Sequence, residues 1–187
     1  MGLKNITISA KERDFLFHSN LIEDEHSITA LVDAQNAWMH IRDCPLTKES
    51  ILNAHSLLLR RLAPTIAGKI RNCSVMVGGR ICPHPNKLNG LLSKWFDTYM
   101  DASTPKQIKI AHVSFEKIHP FQDGNGRIGR IIMNKQRLLA KLPIKIIHFE
   151  DRRKYYEWFR EDPVEDQLMN FLHVSGVEDL PNLFPPI

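Results

Sequence analysis

The sequence has little of several features that define protein classes. It contains only three cysteines, and Cys44, Cys73 and Cys82 form no C-x-x-C pair, so neither a zinc site nor a disulfide framework is indicated. No apolar run is long enough to span a bilayer, and the first six residues lack the apolar core of a secretory signal. We therefore expect a cytoplasmic protein that has no membrane partner.

A strong excess of one charge is also missing. The net charge is +4 and the basic residues are scattered, so no basic stripe indicates a nucleic-acid partner. Apolar residues make up 43% of the 187, which excludes a disordered chain and is enough for one domain with a core. There are no repeats and no low-complexity linker, so we expect a single domain over residues 1–187.

One stretch concentrates the chemistry: residues 119–130, which read HPFQDGNGRIGR. Residues 123–126 form a turn that tolerates positive φ, and an apolar-periodic segment follows at once. A glycine-rich turn that opens a helix presents backbone N–H groups and a positive dipole end, so it predicts an anion site. Arg127 and Arg130, three residues apart, can both bind phosphate oxygens.

Two further residues of this stretch suit nucleotide chemistry. Asp123 is a hard oxygen ligand beside the turn, well placed to hold Mg²⁺ on a polyphosphate. His119 titrates near neutrality and could remove a proton from an attacking hydroxyl. Each of these features alone usually has a structural explanation, such as a turn, a helix cap or a solvated charge. Their combination within twelve consecutive residues indicates one functional site.

The stretch resembles the signature of the Fic family, HPFx[D/E]GNGRxxR, at every fixed position. The resemblance implies an all-α Fic-fold helical bundle with one small β-hairpin, and transfer of AMP from ATP to a Ser, Thr or Tyr hydroxyl of a target protein. It implies His119 as the base, Asp123 as the Mg²⁺ ligand and Phe121 as the buried anchor of the loop. The implied phosphate-binding residues are Gly124, Asn125, Gly126, Arg127 and Arg130. A kinase-like branch of the family has Lys at the place of Gly126, so Gly126 favours AMP transfer.

An N-terminal helix over about residues 16–25 is predicted by apolar residues that include Phe15, Phe17, Leu21 and Ile22, after a loosely held polar stretch 1–14. Ser19 and Glu23, four residues apart, lie on the same face. They resemble the inhibitory motif of some Fic proteins, Ser/Thr-x-x-x-Glu-Gly/Asn, in which the Glu reaches the Arg that corresponds to Arg130. A guanidinium paired with a carboxylate cannot also bind a γ-phosphate. Asp24 replaces Gly or Asn at the helix end, where it can still adopt a left-handed conformation.

Residues 73–82 read as a β-hairpin, because two strand-like runs flank Gly78-Gly79. This segment resembles the family's flap, which aligns the target backbone by β-augmentation. The implied docking residues are Val75, Met76, Val77 and Ile81. Downstream, Arg152-x-x-Tyr155-Tyr156 resembles the segment that closes over the adenosine, so Tyr156 is the candidate for the nucleotide pocket. The adenine contact stays open, because Glu161-Asp162 stands where some relatives have Asn.

The remaining periodicity predicts helices over about residues 28–42, 48–62, 86–101, 105–118, 126–140 and 164–175, and one capped by Asp151.

Three functions fit this sequence. The first is an ATP-dependent protein adenylyltransferase that Glu23 inhibits. The second is the reverse reaction, deAMPylation, in which Glu23 would orient water. The third is a non-enzymatic nucleotide-sensing or antitoxin-type interaction protein, against which the intact His119 argues. The target protein is not indicated, and a homodimer is left open.

Overall fold

Residues 8–160 of the computed structural model form a helical bundle with one hairpin. The helices are α1 (Ala10–Ile22), α2 (Ile28–Asp43), α3 (Lys48–Leu59), α4 (Leu88–Tyr99), α5 (Pro105–Ile118), α6 (Asn125–Leu139) and α7 (Arg152–Glu157). The strands are β1 (Met76–Val77) and β2 (Arg80–Ile81), and they form an antiparallel pair. The predicted fold class, all-α with one small hairpin, is confirmed.

Helix α6, which begins inside the motif, lies at the centre of the bundle. It packs against α1, α2, α3 and α5. Its buried residues Ile128, Ile131 and Ile132 belong to the main core, together with Trp38 of α2 and Trp95 of α4. Because α6 is fixed on several sides, the turn at its N-terminus has a defined place in the molecule.

Helix α1 begins earlier than predicted. Ser9 caps it and forms a capping box with Glu12, so the chain is helical from Ala10 rather than loosely held up to residue 14. The Glu12 carboxylate also accepts from Trp38 Nε1 at 2.8 Å and from Arg42 Nη1 at 3.1 Å. Hydrogen bonds from Ser9, Trp38 and Arg42 outweigh burial and lower the pKa of Glu12 to about 2. These contacts attach the first half of α1 to α2.

Other boundaries differ from the prediction by a turn or less. Helix α3 ends at Leu59 rather than at 62, and residues 60–62 form a turn ahead of Pro64, as expected near a proline. Helix α4 begins at Leu88, after a short 3-10 turn, and ends at Tyr99, inside the predicted range 86–101. Helix α5 matches its prediction, with Thr104 as its N-cap. Phe17, one of the apolar residues that predicted the N-terminal helix, is exposed.

The last described helix lacks the side-chain cap that was predicted for it. The Asp151 side chain does not cap α7; it pairs with Lys154 Nζ at 2.9 Å. Helix α7 ends at Glu157, and the predicted helix 164–175 lies outside the described residues. Between residues 8 and 160, no helix has the length and apolar character needed to cross a membrane.

Candidate active site

His119 lies where α5 ends, and its backbone is left-handed, with φ of +49°. Its Nδ1 lies 3.3 Å from the Glu116 carbonyl oxygen. Because a carbonyl can only accept, Nδ1 carries the proton, and the lone pair is on Nε2. Burial lowers the pKa of His119, against the opposing effect of the Glu116 carbonyl. The ring is therefore neutral near pH 7 and able to accept a proton at Nε2.

The turn after His119 is held closed by Asn125. Its Oδ1 accepts from the Phe121 N–H, and its Nδ2 donates to the Phe121 carbonyl, both at 2.9 Å. The Phe121 ring is 1% exposed, in agreement with its predicted role as an anchor. Gly124 allows the turn, with φ of +77°. The Asn125 side chain, predicted among the phosphate-binding residues, therefore shapes the loop.

His55 of α3 supports the same turn and was missed by the sequence reasoning. It stacks on Phe121 with a centroid separation of 3.8 Å, and its Nε2 lies 3.0 Å from the Asp123 carbonyl oxygen. The Gly68 N–H donates to its Nδ1 at 2.9 Å, which places the proton on Nε2. Burial lowers the pKa of His55 to about 4. A neutral histidine thus ties α3 to the motif.

Arg71 holds the backbone of His119 and was also missed as a site residue. Its Nε donates to the His119 carbonyl at 2.8 Å, and its own N–H donates to the Pro120 carbonyl at 3.0 Å. The Nη1 and Nη2 groups donate to the carbonyls of Cys73 and Pro83, at 2.8 and 2.6 Å. One buried guanidinium therefore links the candidate base to both ends of the hairpin.

Asp123 and Arg127 lie at the mouth of the turn. Asp123 Oδ1 accepts from the Gly124 N–H, its Oδ2 lies 3.3 Å from Arg127 Nη2, and its side chain is 59% exposed. Arg127 is buried, and its Nε and Nη1 have no hydrogen-bond partner within residues 8–160. A buried guanidinium with unpaired donors costs free energy unless an anion approaches it. This geometry fits a phosphate ligand.

Arg130 has a different environment. Its Nε donates to Ser19 Oγ at 2.8 Å, and its Nη2 donates to Glu23 Oε1 at 2.7 Å and to the Ser19 carbonyl at 2.9 Å. Its Nη1 donates to Tyr155 Oη at 3.2 Å. The predicted contact of Glu23 with Arg130 is present in the structure, and Ser19 contacts the same guanidinium as well. All three nitrogens of this guanidinium are engaged.

The end of α1 directs Glu23 to this place. The Asp24 N–H bonds to the Leu21 carbonyl and the Glu25 N–H to the Asn20 carbonyl, both at 3.0 Å, which is a Schellman motif. Asp24 has φ of +57°, so it adopts the left-handed conformation expected of it. A Cβ on Gly126 would collide with Glu23 Oε1. The carboxylate therefore lies against the first turn of α6, where the dipole attracts an anion.

Behind Arg130 lies a buried polar network that the sequence did not reveal. Tyr155 Oη lies 2.9 Å from His112 Nε2, and Tyr155 is 3% exposed. Glu116 Oε1 is buried without a hydrogen-bond partner within residues 8–160, and burial raises the pKa of Glu116 to about 8. The predicted pocket residue Tyr156 is 46% exposed, and its hydroxyl donates to the Ile22 carbonyl at 3.4 Å. Tyr155, one residue earlier, is thus the tyrosine that contacts the motif.

The hairpin leaves its side chains open to solvent. Met76 pairs with Ile81, and Val77 pairs with Arg80. Gly78 and Gly79, with φ of +56° and +81°, form the turn. The exposed fractions of Met76, Val77 and Ile81 are 69%, 43% and 60%, whereas Val75 is half-buried. The Arg80 Nη2 donates to the Lys117 carbonyl at 3.2 Å, which attaches the hairpin to α5.

The helical bundle, whose central helix opens on a glycine-rich turn beside His119, has the fold of solved Fic domain proteins. The model of the Fic/DOC family matches residues 45–136. The chain belongs to the Fic/DOC family.

Known proteins support this assignment. The chain is 33% identical over 175 residues to the Protein adenylyltransferase Fic of Culex quinquefasciatus, a match that covers 86% of this chain and 35% of the relative. The chain thus spans about a third of that protein.

Solved structures share the fold. A Fic domain containing signaling protein from Bacteroides thetaiotaomicron gives a TM-score of 0.63 at 21% identity, covering 78% of this chain and 69% of that one. A Fic family protein from Desulfovibrio desulfuricans gives 0.64 at 22% identity, covering 88% and 61%.

Proposed function

We propose that this protein transfers AMP from ATP to a Ser, Thr or Tyr hydroxyl of a target protein, and that Glu23 inhibits the transfer. The observation that carries the proposal is the neutral His119, with its Nε2 lone pair, beside a turn where Arg127 has unpaired buried donors. The name of the Culex relative, an adenylyltransferase, supports the same chemistry.

The α6 N-terminus and Arg127 would bind the phosphates of ATP. Backbone N–H groups at a helix N-terminus and guanidinium forks are the two recurrent partners of phosphate oxygens. The Gly124 and Gly126 backbones allow the close approach that a phosphate needs. Tyr156, half-exposed beside the end of α1, would border the nucleotide.

Asp123 would hold Mg²⁺. Its carboxylate is mostly exposed and lies beside the donors of Arg127, which suits a cation that keeps several waters and binds phosphate oxygens. When bound, Mg²⁺ would neutralise part of the phosphate charge.

His119 would act as the general base. The target hydroxyl loses its proton to His119 Nε2 as its oxygen forms a bond to the α-phosphorus of ATP. The bond between the α-phosphorus and the bridging oxygen breaks, and pyrophosphate leaves. Positioning by Arg71 and His55 keeps the base and the turn fixed, so that little reorganisation is needed during the reaction.

Glu23 would compete with ATP for Arg130. The guanidinium that would bind a γ-phosphate already donates to Glu23 and Ser19. Productive binding of the γ-phosphate therefore requires the end of α1 to move. Only 2% of the Arg130 side chain is exposed, whereas Glu23 keeps 35% of its side chain in contact with solvent. Separating the pair is costly because it leaves a buried guanidinium without its carboxylate partner.

The hairpin would align the target. Its exposed edge and exposed Met76, Val77 and Ile81 are the features that β-augmentation uses, in which an added strand supplies main-chain hydrogen bonds and pockets select side chains. Arg71 and Arg80 fix this edge relative to His119 and α5.

A second function, deAMPylation, is favoured by the position of Glu23. Its carboxylate lies beside Gly126 at the candidate phosphate site and is reached by solvent. It could orient a water molecule against the phosphorus of an AMP-modified target. The same protein would then use Glu23 in one direction and be inhibited by it in the other.

The experiment uses ATP labelled in the α-phosphate, Mg²⁺ and a cell lysate. Protein carrying Glu23→Gly should label itself or a lysate protein, and adding His119→Ala should reduce labelling by about 10²–10⁴-fold because the base is lost. His26→Ala, which removes an exposed histidine that bonds to Asp24, is the matched control and should keep labelling. Equal labelling with and without His119 would contradict the proposal.

A further inference from the structure

Two histidines and a glutamate meet outside the motif. His18 belongs to α1, whereas His148 and Glu150 belong to the segment before α7. One ligand atom from each of the three lies within 4.8 Å of those of the other two. His18 Nε2 and His148 Nδ1 are 3.2 Å apart, and Asp14 Oδ1, one helical turn before His18, lies 3.7 Å from the same Nε2.

We propose that this cluster binds a zinc-like divalent transition metal ion. In a tetrahedral zinc site, Zn–N bonds of about 2.0–2.1 Å put two ligand nitrogens about 3.3–3.4 Å apart. The separation of the two imidazole nitrogens is close to this value. Imidazole nitrogens with one carboxylate are a donor set for Zn²⁺ rather than for Mg²⁺, which prefers oxygen. Water would complete the coordination, since His148 and Glu150 are exposed.

Metal binding releases no net proton from the imidazole rings of His18 and His148. The Phe149 N–H donates to His18 Nδ1 at 3.2 Å, so the His18 proton lies on Nε2, directed at His148 Nδ1. Binding the cation moves the proton from Nε2 to Nδ1, and the Phe149 amide loses its acceptor. Two hydrogen bonds are lost, the one from the Phe149 amide and the one between the two rings, while three metal–ligand bonds form. His148 already presents a lone pair.

The metal would connect α1 to the segment that leads into α7. His18 lies next to Ser19 and five residues before Glu23, and α7 carries Tyr155, which contacts Arg130. A cation held from both sides would oppose movement of the end of α1. This consequence rests on the proposed function, because it means that metal binding strengthens the Glu23 inhibition. The binding itself does not depend on it.

The binding test is a calorimetric titration of Zn²⁺ into the full, tag-free chain. The buffer contains millimolar Mg²⁺, which occupies sites that prefer oxygen ligands. We expect one Zn²⁺ per chain with micromolar affinity. His148→Ala should weaken binding at least about tenfold, and Glu150→Gln by less. The controls are His84→Ala, an exposed histidine elsewhere, and Cys44→Ser, whose Sγ lies 3.7 Å from His40. Both controls should keep the affinity.

A second readout separates this site from the proposed activity. Zn²⁺ should slow amide hydrogen exchange in residues 10–22 of the wild-type chain but not of His148→Ala, and it should reduce AMP transfer only in the wild type. Binding and exchange protection without any transfer in any variant would refute the proposed function and leave the site supported. Absence of Zn²⁺ binding, or binding that His148→Ala does not weaken, would overturn the site whether or not transfer occurs.

Discussion

The two motif arginines are three residues apart on α6 and equally buried, yet they differ in their partners. Arg127 has two nitrogens without a hydrogen-bond partner within residues 8–160 and one that lies 3.3 Å from Asp123. Arg130 has every nitrogen bonded, to Ser19, Glu23 and Tyr155. In the candidate phosphate site, Arg127 therefore has donors free to bind an anion, whereas Arg130 already binds the carboxylate of Glu23.

Under the proposed function, this difference would separate nucleotide binding, through Arg127, from inhibition, through Arg130. Arg127 Nη2 pairs with Asp123 of the turn, so we expect its other donors to stay available when α1 moves. Arg130 can change partner only when Glu23 and Ser19 move away from it. A site of this kind can bind part of a nucleotide at rest and still be inactive, because the geometry of the transferred group depends on the remaining contact.

Among the substitutions that test the comparison of the two arginines, Arg127→Ala should have the largest effect. Arg127→Ala should lower AMP transfer by about 10²–10³-fold, the usual cost of removing one preorganised electrostatic donor, both in the wild type and in a Glu23→Gly background. Transfer of label from ATP measures it. The control is Arg137→Ala, on the same helix, where the guanidinium donates to the Pro143 carbonyl. If Arg127→Ala mattered only in the wild-type background, the two arginines would not be independent.

Removing the Ser19 hydroxyl should weaken the resting arrangement. The bond from Arg130 Nε to Ser19 Oγ is buried and charge-assisted, so Ser19→Ala should cost about 1–2 kcal/mol of that arrangement and raise transfer roughly 5- to 30-fold. Ser27→Ala removes the cap of α2 without contacting Arg130, and it controls for general destabilisation. Faster transfer in both variants would attribute the effect to stability alone.

The protonation state of Glu116 decides whether Arg130 has an ionised carboxylate near it besides Glu23. Burial raises the pKa of Glu116 from 4.5 to about 8, so between these values the folded chain holds a proton that the unfolded chain has lost. The wild type should therefore lose stability as the pH rises through this window, and Glu116→Gln should not. We expect the free energy of unfolding of Glu116→Gln, relative to that of the wild type, to increase from pH 5 to pH 8 by up to about 4 kcal/mol, at about 1.4 kcal/mol for each pH unit. Melting temperatures of both proteins at each pH measure this trend.

A constant difference between the two proteins across that pH range would mean that Glu116 is ionised in the folded chain. Arg130 would then have a second carboxylate partner, and the contrast with Arg127 would not depend on Glu23.

Much of the site could be predicted because its signals are local. The 119–130 turn, the Gly78-Gly79 hairpin and the i, i+4 spacing of Ser19 and Glu23 are all readable in short windows. The start of α1 could also have been predicted, because Ser9 and Glu12 match the capping-box pattern. The prediction missed it because residues 1–14 are mostly polar.

The supporting residues could not be predicted, because their contacts are distant in sequence. His55 reaches Asp123 across 68 residues, and Arg71 reaches His119 across 48. A single histidine or arginine in a helix or loop carries no sign of such a partner. Tyr155 rather than Tyr156 contacts Arg130 because the helical rotation of α7 turns one of the two tyrosines inward, which the sequence pair alone does not decide.

The most direct test of the competition between Glu23 and ATP is a double-mutant cycle on AMP transfer with Glu23→Gly and Arg130→Ala. Glu25→Gln serves as the charge control at the same helix end, where the carboxylate accepts from the Ser27 N–H. We predict that Glu23→Gly raises transfer in the wild type but adds nothing once Arg130 is alanine, because the two residues act through one contact. Equal activation by Glu23→Gly in both backgrounds, or no activation in either, would contradict it.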